Sequence, residues 1–236
     1  MKIIAVIPAR GGSKSIPKKN LVNFCGKPLI SYSIEIAKKC SSIDRVIVSS
    51  DDNEIIDVAL KYGAEVPFIR PKEISQDDTT DYPVFEHCLK YLNDYEGYKP
   101  DIIVQLRPTS PLRTPEMVEK AIHKLISRPE ADSVRSVCEP SQNPFKMWMI
   151  NNSGFIEPLL KDEKNNEPYN QPRQNLPYVY WQNGYIDVTR YSTIIEKKSM
   201  TGDQILPLVV DNNEIIDIDN DVTFQFAEMI YSSKNK

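Results

Sequence analysis

Histidine and cysteine are scarce in this chain of 236 residues, and their scarcity limits the chemistry that the sequence supports. The two histidines, His87 and His123, both lie among hydrophobic residues in helix-like patterns. A catalytic triad or a histidine-rich metal site is therefore a poor expectation. The four cysteines lie far apart without a C-x-x-C pair, so neither a zinc knuckle nor a redox motif is indicated. Reduced, packed thiols are expected, as is usual in cytosolic proteins.

Long apolar runs and an excess of basic charge are also absent. No stretch approaches the roughly 18 apolar residues that a membrane span needs. The N-terminal apolar run is too short for a secretory signal and lacks a cleavage site. The formal net charge of −4 argues against a general nucleic-acid binder. The sequence therefore predicts a cytoplasmic protein with no membrane or nucleic-acid partner, in which any anion site is local.

Strand-like apolar runs alternate with helix-like amphipathic segments through the first half of the chain. The strand-like runs are "KIIAVI", "RVIVSS", "EVPFIR" and "DIIVQL", and the helix-like segments are "PLISYSIEIAKKC", "DNEIIDVALKYG" and "YPVFEHCLKYL". This alternation predicts an α/β fold with a Rossmann-like, mainly parallel sheet flanked by helices, in a single domain over residues 1–236. In such sheets ligands bind beyond the carboxyl ends of the strands.

The pattern changes at residues 143–188, which are rich in proline, asparagine and aromatic residues. A hairpin is predicted at "MINNSGFI" and a long extended segment at "YVYWQNGYIDV". We interpret this range as a small β-rich flap inserted into the domain. Its aromatic side chains favour contact with a second copy of the chain, so a homodimer is expected, although core packing is the better explanation for any single one of them.

The loop "PARGGSKSIPKKN" follows the first strand and predicts an anion cradle. Its glycines let backbone amides approach an anion, and its cationic side chains neutralise it. These side chains are Arg10, Lys14, Lys18 and Lys19. The Walker A pattern fails because Ser13 separates Gly12 from Lys14, and the dinucleotide fingerprint fails because its glycine spacing is missing. The alternative is a solvated basic loop.

Near the C-terminus, "NNEIIDIDND" places Asp217 and Asp219 two residues apart in a β-like run. Alternate residues of a strand face the same side, so the two carboxylates are expected to project together. Hard oxygen ligands of this kind suit Mg²⁺. Asp221 is either next in register or the cap of the following helix. An isolated D-x-D is more often a solvated turn, but beside a cationic loop the metal–nucleotide interpretation is the better one.

Two further loops supply donors for an anionic or polyhydroxy ligand. The loop "QLRPTSPLRTP" follows a buried strand and carries Arg107, Thr109, Ser110 and Arg113. The segment "FIRPKEISQDDTTD" carries Arg70. Surface ion pairing would explain any single arginine. Three such loops, each following a strand, favour a common binding site.

Together these motifs resemble the CMP-sialic acid synthetases, the acylneuraminate cytidylyltransferase family. The similar segments cover nearly the whole chain and are "IPARGGSKSIPKKN", "VSSDD", "PTSPLR", "RQNLPYVYWQNG" and "IDID". The resemblance implies a Mg²⁺-dependent nucleotidyltransferase that couples CTP to a nine-carbon 2-keto-3-deoxy acid sugar. The sugar would be sialic acid, legionaminate or deaminated neuraminate, and the products would be pyrophosphate and a CMP-sugar for bacterial surface glycans.

The resemblance also implies roles for individual residues. Catalysis would rest on Arg10, Lys19, Asp217 and Asp219, and the two aspartates would carry the Mg²⁺. The nucleotide would contact Ala9, Arg10, Gly11, Gly12, Ser13, Asn20, Arg70 and Asp77. The sugar would contact Arg107, Thr109, Ser110, Arg113, Arg173, Gln174, Tyr180 and Asn183.

Two positions depart from the family pattern. Arg107 stands where the family commonly has glutamine, and it adds a fixed charge where an amide would contact the acyl group or hydroxyls of the sugar. Thr223 stands where an aspartate often follows "IDID", which leaves two or three carboxylates for a metal ion. Two alternatives stay open: a transferase acting on 3-deoxy-octulosonate or another sugar, and a non-catalytic nucleotide-binding regulatory protein.

Overall fold

The computed structural model describes residues 1–163, 165–211 and 215–234. The strands of this part are β1 (Ile3–Pro8), β2 (Asn23–Phe24), β3 (Lys27–Pro28), β4 (Arg45–Ser49), β5 (Ile102–Gln105), β6 (Ser133–Cys138), β7 (Trp148–Ile150), β8 (Ile156–Pro158), β9 (Trp181–Arg190) and β10 (Ile205–Val209). The α-helices are α1 (Leu29–Lys39), α2 (Asn53–Lys61), α3 (Asp81–Glu96), α4 (Pro115–Ile126), α5 (Tyr191–Ile195) and α6 (Asp221–Lys234).

Six strands form the central sheet in the order β10-β6-β9-β5-β1-β4. β9 runs antiparallel to β5 and β6, and the other neighbouring pairs are parallel. The prediction of an α/β fold with a mainly parallel sheet is confirmed. The segment "EVPFIR" is an exception, because it makes only a single bridge, from Glu65 to Ile47, instead of a strand.

Helices cover both faces of the sheet, which explains why β1 is apolar at successive positions. Ala5 and Ile7 belong to the cluster that includes residues of α1, α2 and α4. Ile4 and Val6 belong to the opposite cluster, with residues of α3 and α5. Alternate strand residues therefore pack against different helical layers, and the sheet is held rigidly between them.

Helix starts follow the capping signals of the sequence. Asp52 caps α2, because its Oδ1 accepts hydrogen bonds from the backbone amides of Glu54 (2.8 Å) and Ile55 (3.1 Å). Thr114 caps α4 with Pro115 in the first turn, as the sequence predicts. These caps begin helices directly after loops that follow strand ends, so they help to fix the loops that carry the predicted site residues.

The C-terminal segment packs onto the glycine-rich loop region through a third apolar cluster. Ile216, Ile218 and Ala227 lie in this cluster with Ile16 and Phe24. Residues 215–219 form no strand, so the predicted β-like run is wrong as secondary structure, and residues 212–214 of the same motif lie outside the described part. The predicted alternation of buried and more exposed side chains is nevertheless present. Ile216 and Ile218 are buried, whereas Asp217 and Asp219 are more exposed.

Helix α6 begins with a reciprocal cap in which Asp221 takes no part. The Asn220 side chain accepts from the amide of Thr223 (3.0 Å), and the Thr223 hydroxyl accepts from the amide of Asn220 (3.1 Å). Asp221 is exposed in the first turn of the helix, so the alternative that it caps the helix is not realised. Thr223, which departs from the family pattern, therefore caps the start of α6 together with Asn220.

The hairpin predicted within residues 143–188 is present as β7 and β8. Residues 181–188 of that range belong to β9 in the central sheet, so the part outside the sheet ends at Tyr180. The outlying part exposes large apolar side chains, including Ile150, Phe155 and Tyr178. Among the residues that the structure describes, every helix is too short or too polar to cross a membrane.

Candidate active site

A cleft of about 400 Å³ lies at the carboxyl ends of β1 and β5, beside the start of α3. Its walls include seven of the predicted site residues, namely Arg10, Ser13, Lys19, Asn20, Arg70, Arg107 and Thr109. Loops that are distant in sequence meet here because parallel strands end at the same edge of the sheet. The predicted common site is therefore a real cavity of the fold.

Close packing against two aspartates shapes the glycine loop. The amide of Gly11 donates to Oδ1 of Asp51 (3.0 Å), and a Cβ atom on Gly11 would lie 2.7 Å from Oδ2 of Asp52. Asn20 is buried, and its Nδ2 donates to the carbonyl of Arg10 (2.9 Å). Ala9, fully buried, extends the pairing of β1 through a bond to the Ser49 carbonyl (2.9 Å). The loop is thus held in a defined shape at the cleft.

One carboxylate neutralises two cations of this loop. Asp77 forms ion pairs with both Arg10 and Lys14, and they lower the pKa of the Asp77 carboxyl, Lys14 contributing more. Arg10, Gly12 and Asp77 line a shallow depression that adjoins the cleft. An anion that enters the cleft would compete with Asp77 for the two cationic side chains.

Lys19 connects the glycine loop to the acidic segment. Its side chain is only 12% exposed, and its ammonium lies 3.6 Å from Oδ1 of Asp219. The same ammonium donates to the carbonyl of Ile218 at 2.8 Å. A nearly buried lysine in this position brings positive charge to the point where the cleft meets the two predicted metal ligands.

Asp217 is half-buried in an environment that disfavours its charge. Burial raises the pKa of its carboxyl, and the neighbouring charge of Asp219 raises it further, against the lowering effect of a hydrogen bond from Thr109. Its Oδ1 atom is buried and has no hydrogen-bond partner among the described residues. A buried carboxylate oxygen without a partner, next to a second carboxylate, is suited to a divalent cation.

The described residues contain no group of three or more histidine, cysteine or acidic side chains placed to hold a metal ion. Asp217 and Asp219 alone would leave most of an octahedral coordination shell to other ligands. This agrees with Mg²⁺ chemistry, because proteins commonly hold that ion by one or two carboxylates together with substrate phosphates. The two aspartates therefore fit a Mg²⁺ ion that arrives with a polyphosphate.

Two buried arginines support the cleft. Arg70 donates through Nε to the Ser49 hydroxyl (3.0 Å) and lines the cleft, and burial lowers its pKa to about 10. Arg113 lies in the loop "QLRPTSPLRTP", the arginine loop, where it donates to the Ser33 hydroxyl (3.1 Å) and to the Arg107 carbonyl of the same loop. Burial lowers the pKa of Arg113 to about 10 as well. Arg113 thus stabilises the loop by a hydrogen bond within it and does not line the cleft.

The remaining predicted sugar contacts lie elsewhere in the chain. Arg173 and Gln174 line a separate cleft of about 300 Å³, where Arg173 pairs with Glu139 (3.1 Å). Tyr180 is 52% exposed, and the buried Asn183 accepts a hydrogen bond from the Ser136 hydroxyl (2.6 Å). Ser110 is buried within the arginine loop. One chain does not bring these side chains into the 400 Å³ cleft, and their role at the sugar stays a prediction.

Sequence reasoning missed Asp81, which lies in the cleft wall at the start of α3. Its Oδ2 accepts from Nε2 of Gln105 (2.9 Å) and from the guanidinium of Arg107. No local pattern identifies it, because its partners are 24 and 26 residues away in the chain. The carboxylate that pairs with Arg107 is therefore visible only in the folded protein.

Solved structures share this fold over the full length of the chain. A CMP:2-keto-3-deoxy-manno-octonic acid synthetase complexed with CTP gives a TM-score of 0.72 at 17% identity, covering 99% of this chain and 100% of that one. A 4-diphosphocytidyl-2C-methyl-D-erythritol synthase of Anaerococcus prevotii gives 0.66 at 15% identity, covering 98% of each chain. The fold belongs to the Rossmann-like nucleotidyltransferase class.

Sequence comparison identifies the family within this class. A family model described as cytidylyltransferase matches residues 4–194. The chain is 33% identical to a pseudaminic acid cytidylyltransferase of Campylobacter jejuni, over 98% of this chain and 97% of the relative. It is 34% identical to a CMP-N,N'-diacetyllegionaminic acid synthase of Legionella pneumophila, over 98% of this chain and 96% of the relative. The protein belongs to the cytidylyltransferase family, as its motifs predict.

Proposed function

We propose that this protein couples CTP to a nine-carbon 2-keto-3-deoxy acid sugar and releases pyrophosphate and the CMP-sugar. The observation that carries the proposal is that Arg10 and Lys19 line one cleft, and that Lys19 also contacts the segment of Asp217 and Asp219, which does not itself line the cleft. The sequence relatives support the sugar class, since their names specify pseudaminic and diacetyllegionaminic acids. A further relative, 30% identical over 100% of this chain and 53% of the relative, is the N-acylneuraminate cytidylyltransferase of Escherichia coli.

In the reaction, the anomeric hydroxyl of the sugar attacks the α-phosphorus of CTP. A bond from the sugar oxygen to phosphorus forms, the bond from phosphorus to the leaving pyrophosphate breaks, and the proton of the hydroxyl passes to solvent water. Such transfers depend chiefly on alignment and on neutralising the charge of the phosphates. Arg10 and Lys19 supply that charge from the glycine loop, which Asn20 holds in place.

Mg²⁺ is part of the proposal, with Asp217 and Asp219 as its protein ligands. When bound, the ion would neutralise negative charge on the triphosphate. Lys19 stands beside Asp219 and would keep the acidic segment close to the phosphates. Oδ1 of Asp217, which has no hydrogen-bond partner in the described part of the chain, supports this assignment.

A homodimer that forms through residues 143–180, the part of the predicted flap outside the central sheet, is also part of the proposal. These residues expose several large apolar side chains, with Ile150 77% and Tyr178 87% exposed. Exposed apolar patches of this kind usually mark an interaction surface. Light scattering should give twice the chain mass, and the mass of a single chain would contradict the dimer.

Pyrophosphate release is the direct test of the proposed function. The protein is assayed with CTP, Mg²⁺ and separate sugars: N-acetylneuraminate, its deaminated analogue, legionaminate, pseudaminate and 3-deoxy-octulosonate. Release with a nine-carbon sugar is expected. Release with 3-deoxy-octulosonate alone would instead favour the eight-carbon alternative, and CTP binding without release with any sugar would indicate a regulatory protein.

Asp77→Asn is expected to lower the KM for CTP by about two- to fivefold, the range of an exposed ion-pair contribution. The triphosphate would no longer have to displace a carboxylate from Arg10 and Lys14. Asp78→Asn is the matched control, because Asp78 is its exposed neighbour and lies outside both depressions. Steady-state kinetics at low salt measures the effect. An increase in the KM for CTP would show that Asp77 assists the nucleotide instead of competing with it.

A further inference from the structure

The Arg107 guanidinium is fixed by partners on two other elements. Its Nη2 donates to Oδ2 of Asp81 at the start of α3, and its Nη1 donates to the carbonyl of Gly184 in β9 (3.5 Å). Gly184 has a φ of +64°, and a Cβ atom there would lie 2.5 Å from Nη1 of Arg107. The positive φ favours glycine at position 184, and a larger residue there would displace the guanidinium from its present place.

Asp81 is itself held in place from the sheet. Its Oδ2 also accepts from Nε2 of Gln105, the last residue of β5, at 2.9 Å. Gln105 is buried, so this contact anchors Asp81 to the rigid core of the fold. Asp81 therefore fixes the guanidinium relative to the sheet. Without Asp81 the guanidinium would have the rotational freedom of a long side chain.

Neutralisation by Asp81 changes what Arg107 offers to a ligand. The pair carries no net charge, so the guanidinium acts through its directed N–H donors more than through its charge. An arginine only donates hydrogen bonds, whereas the glutamine common at this position also accepts them. Both Asp81 and Arg107 line the cleft. The group that fits this arrangement is a neutral acceptor oxygen, such as the carbonyl of an N-acyl substituent.

We infer that Asp81 is a positioning residue that aims Arg107 at the acyl carbonyl of the sugar, and that the pair selects N-acylated over unacylated sugars. This inference rests on the proposed function and names the substrate feature that its cleft recognises. Asp81 acts through Arg107 and takes no part in the transfer itself.

Asp81→Asn is the test, because it keeps the size of the side chain and removes the charge that holds Arg107. The KM for the acylated sugar should rise about tenfold, the range of one lost hydrogen bond, while the KM for CTP stays within about twofold. Preference for N-acetylneuraminate over its deaminated analogue should fall by the same factor. In an Arg107→Gln background, Asp81→Asn should raise the sugar KM no further, because the two residues act as one unit.

Asp94→Asn on the exposed surface of the same helix is the matched control, and thermal melting shows whether each variant is folded. A wild-type protein that releases no pyrophosphate with any sugar would overturn the proposed function and this inference with it. An active wild-type protein whose Asp81→Asn variant keeps the sugar KM and the acyl preference would overturn only the inference. Equal rises in the KM values for CTP and sugar would also overturn it, since they would indicate general damage to the cleft.

Discussion

Asp217→Asn should lower kcat by about 10³-fold, the several kcal/mol that a metal ion contributes to such a transfer. The change should also make the protein more stable, with a melting temperature higher by about 2 °C at neutral pH. Both effects have one cause. The half-buried carboxylate has an oxygen without a partner among the described residues, and its surroundings raise its pKa, so its charge is unfavourable until a cation is present.

Calorimetry provides a measurement of this site that does not depend on turnover. Mg²⁺ together with CTP should raise the melting temperature of the wild-type protein, because a ligand that binds only the folded state stabilises it. The shift should be much smaller in Asp217→Asn. Asp221→Asn is the matched control, since Asp221 is exposed four residues further on and takes no part in the cap of α6. Full activity in Asp217→Asn, or an unchanged ligand-induced shift, would refute Asp217 as a metal ligand.

Lys19→Met is expected to reduce kcat/KM for CTP by about 10³-fold, as the loss of a transition-state donor does in other enzymes. The ammonium is nearly buried, 3.6 Å from Asp219, and its loss would remove positive charge from the meeting point of the phosphates and the acidic segment. It would also leave the Ile218 carbonyl without its donor. Lys19→Arg should recover only part of the activity, because a guanidinium is too large for the position of a compact ammonium.

Lys18→Met is the control for this change. Lys18 is the preceding residue, but it points to Glu54 of α2 and does not line the cleft. Its kcat/KM should stay within about twofold of wild type, since an exposed ion pair contributes little. A comparable loss of kcat/KM in the two variants would mean that activity depends on the total charge of the loop and not on the position of Lys19.

Much of the fold could be predicted because it depends on local patterns. The apolar run of β1 is buried between two layers of helices, and Thr114 with Pro115 begins α4. The position of the cationic glycine loop could also be predicted, because the loop follows β1 and several of its side chains line the cleft; its role as an anion cradle stays a prediction. Where the pattern was ambiguous the prediction failed, as at "EVPFIR", which forms one bridge, and at "IDID", which forms no strand in the part of the chain that the structure describes.

Contacts between distant parts of the chain could not be read in this way. Lys19 bonds to Ile218, which is 199 residues away, because an apolar cluster packs the C-terminal segment near the glycine loop. Asp81 meets Arg107 because α3 begins next to the end of β5. Arg173 shares a predicted motif with Asn183, yet the two lie in different environments, since the chain enters the central sheet only at Trp181.

By itself, the sequence determined the alternation of strands and helices, the cationic glycine loop, the pair of aspartates and the family. These features follow from residue type and spacing over a few positions, where backbone geometry dictates which side chains share a face. Only the tertiary structure decided which loops share a cleft, which carboxylate is half-buried and which acidic residue fixes Arg107. Those outcomes depend on how helices pack across a twisted sheet, and packing depends on the whole set of buried side chains at once.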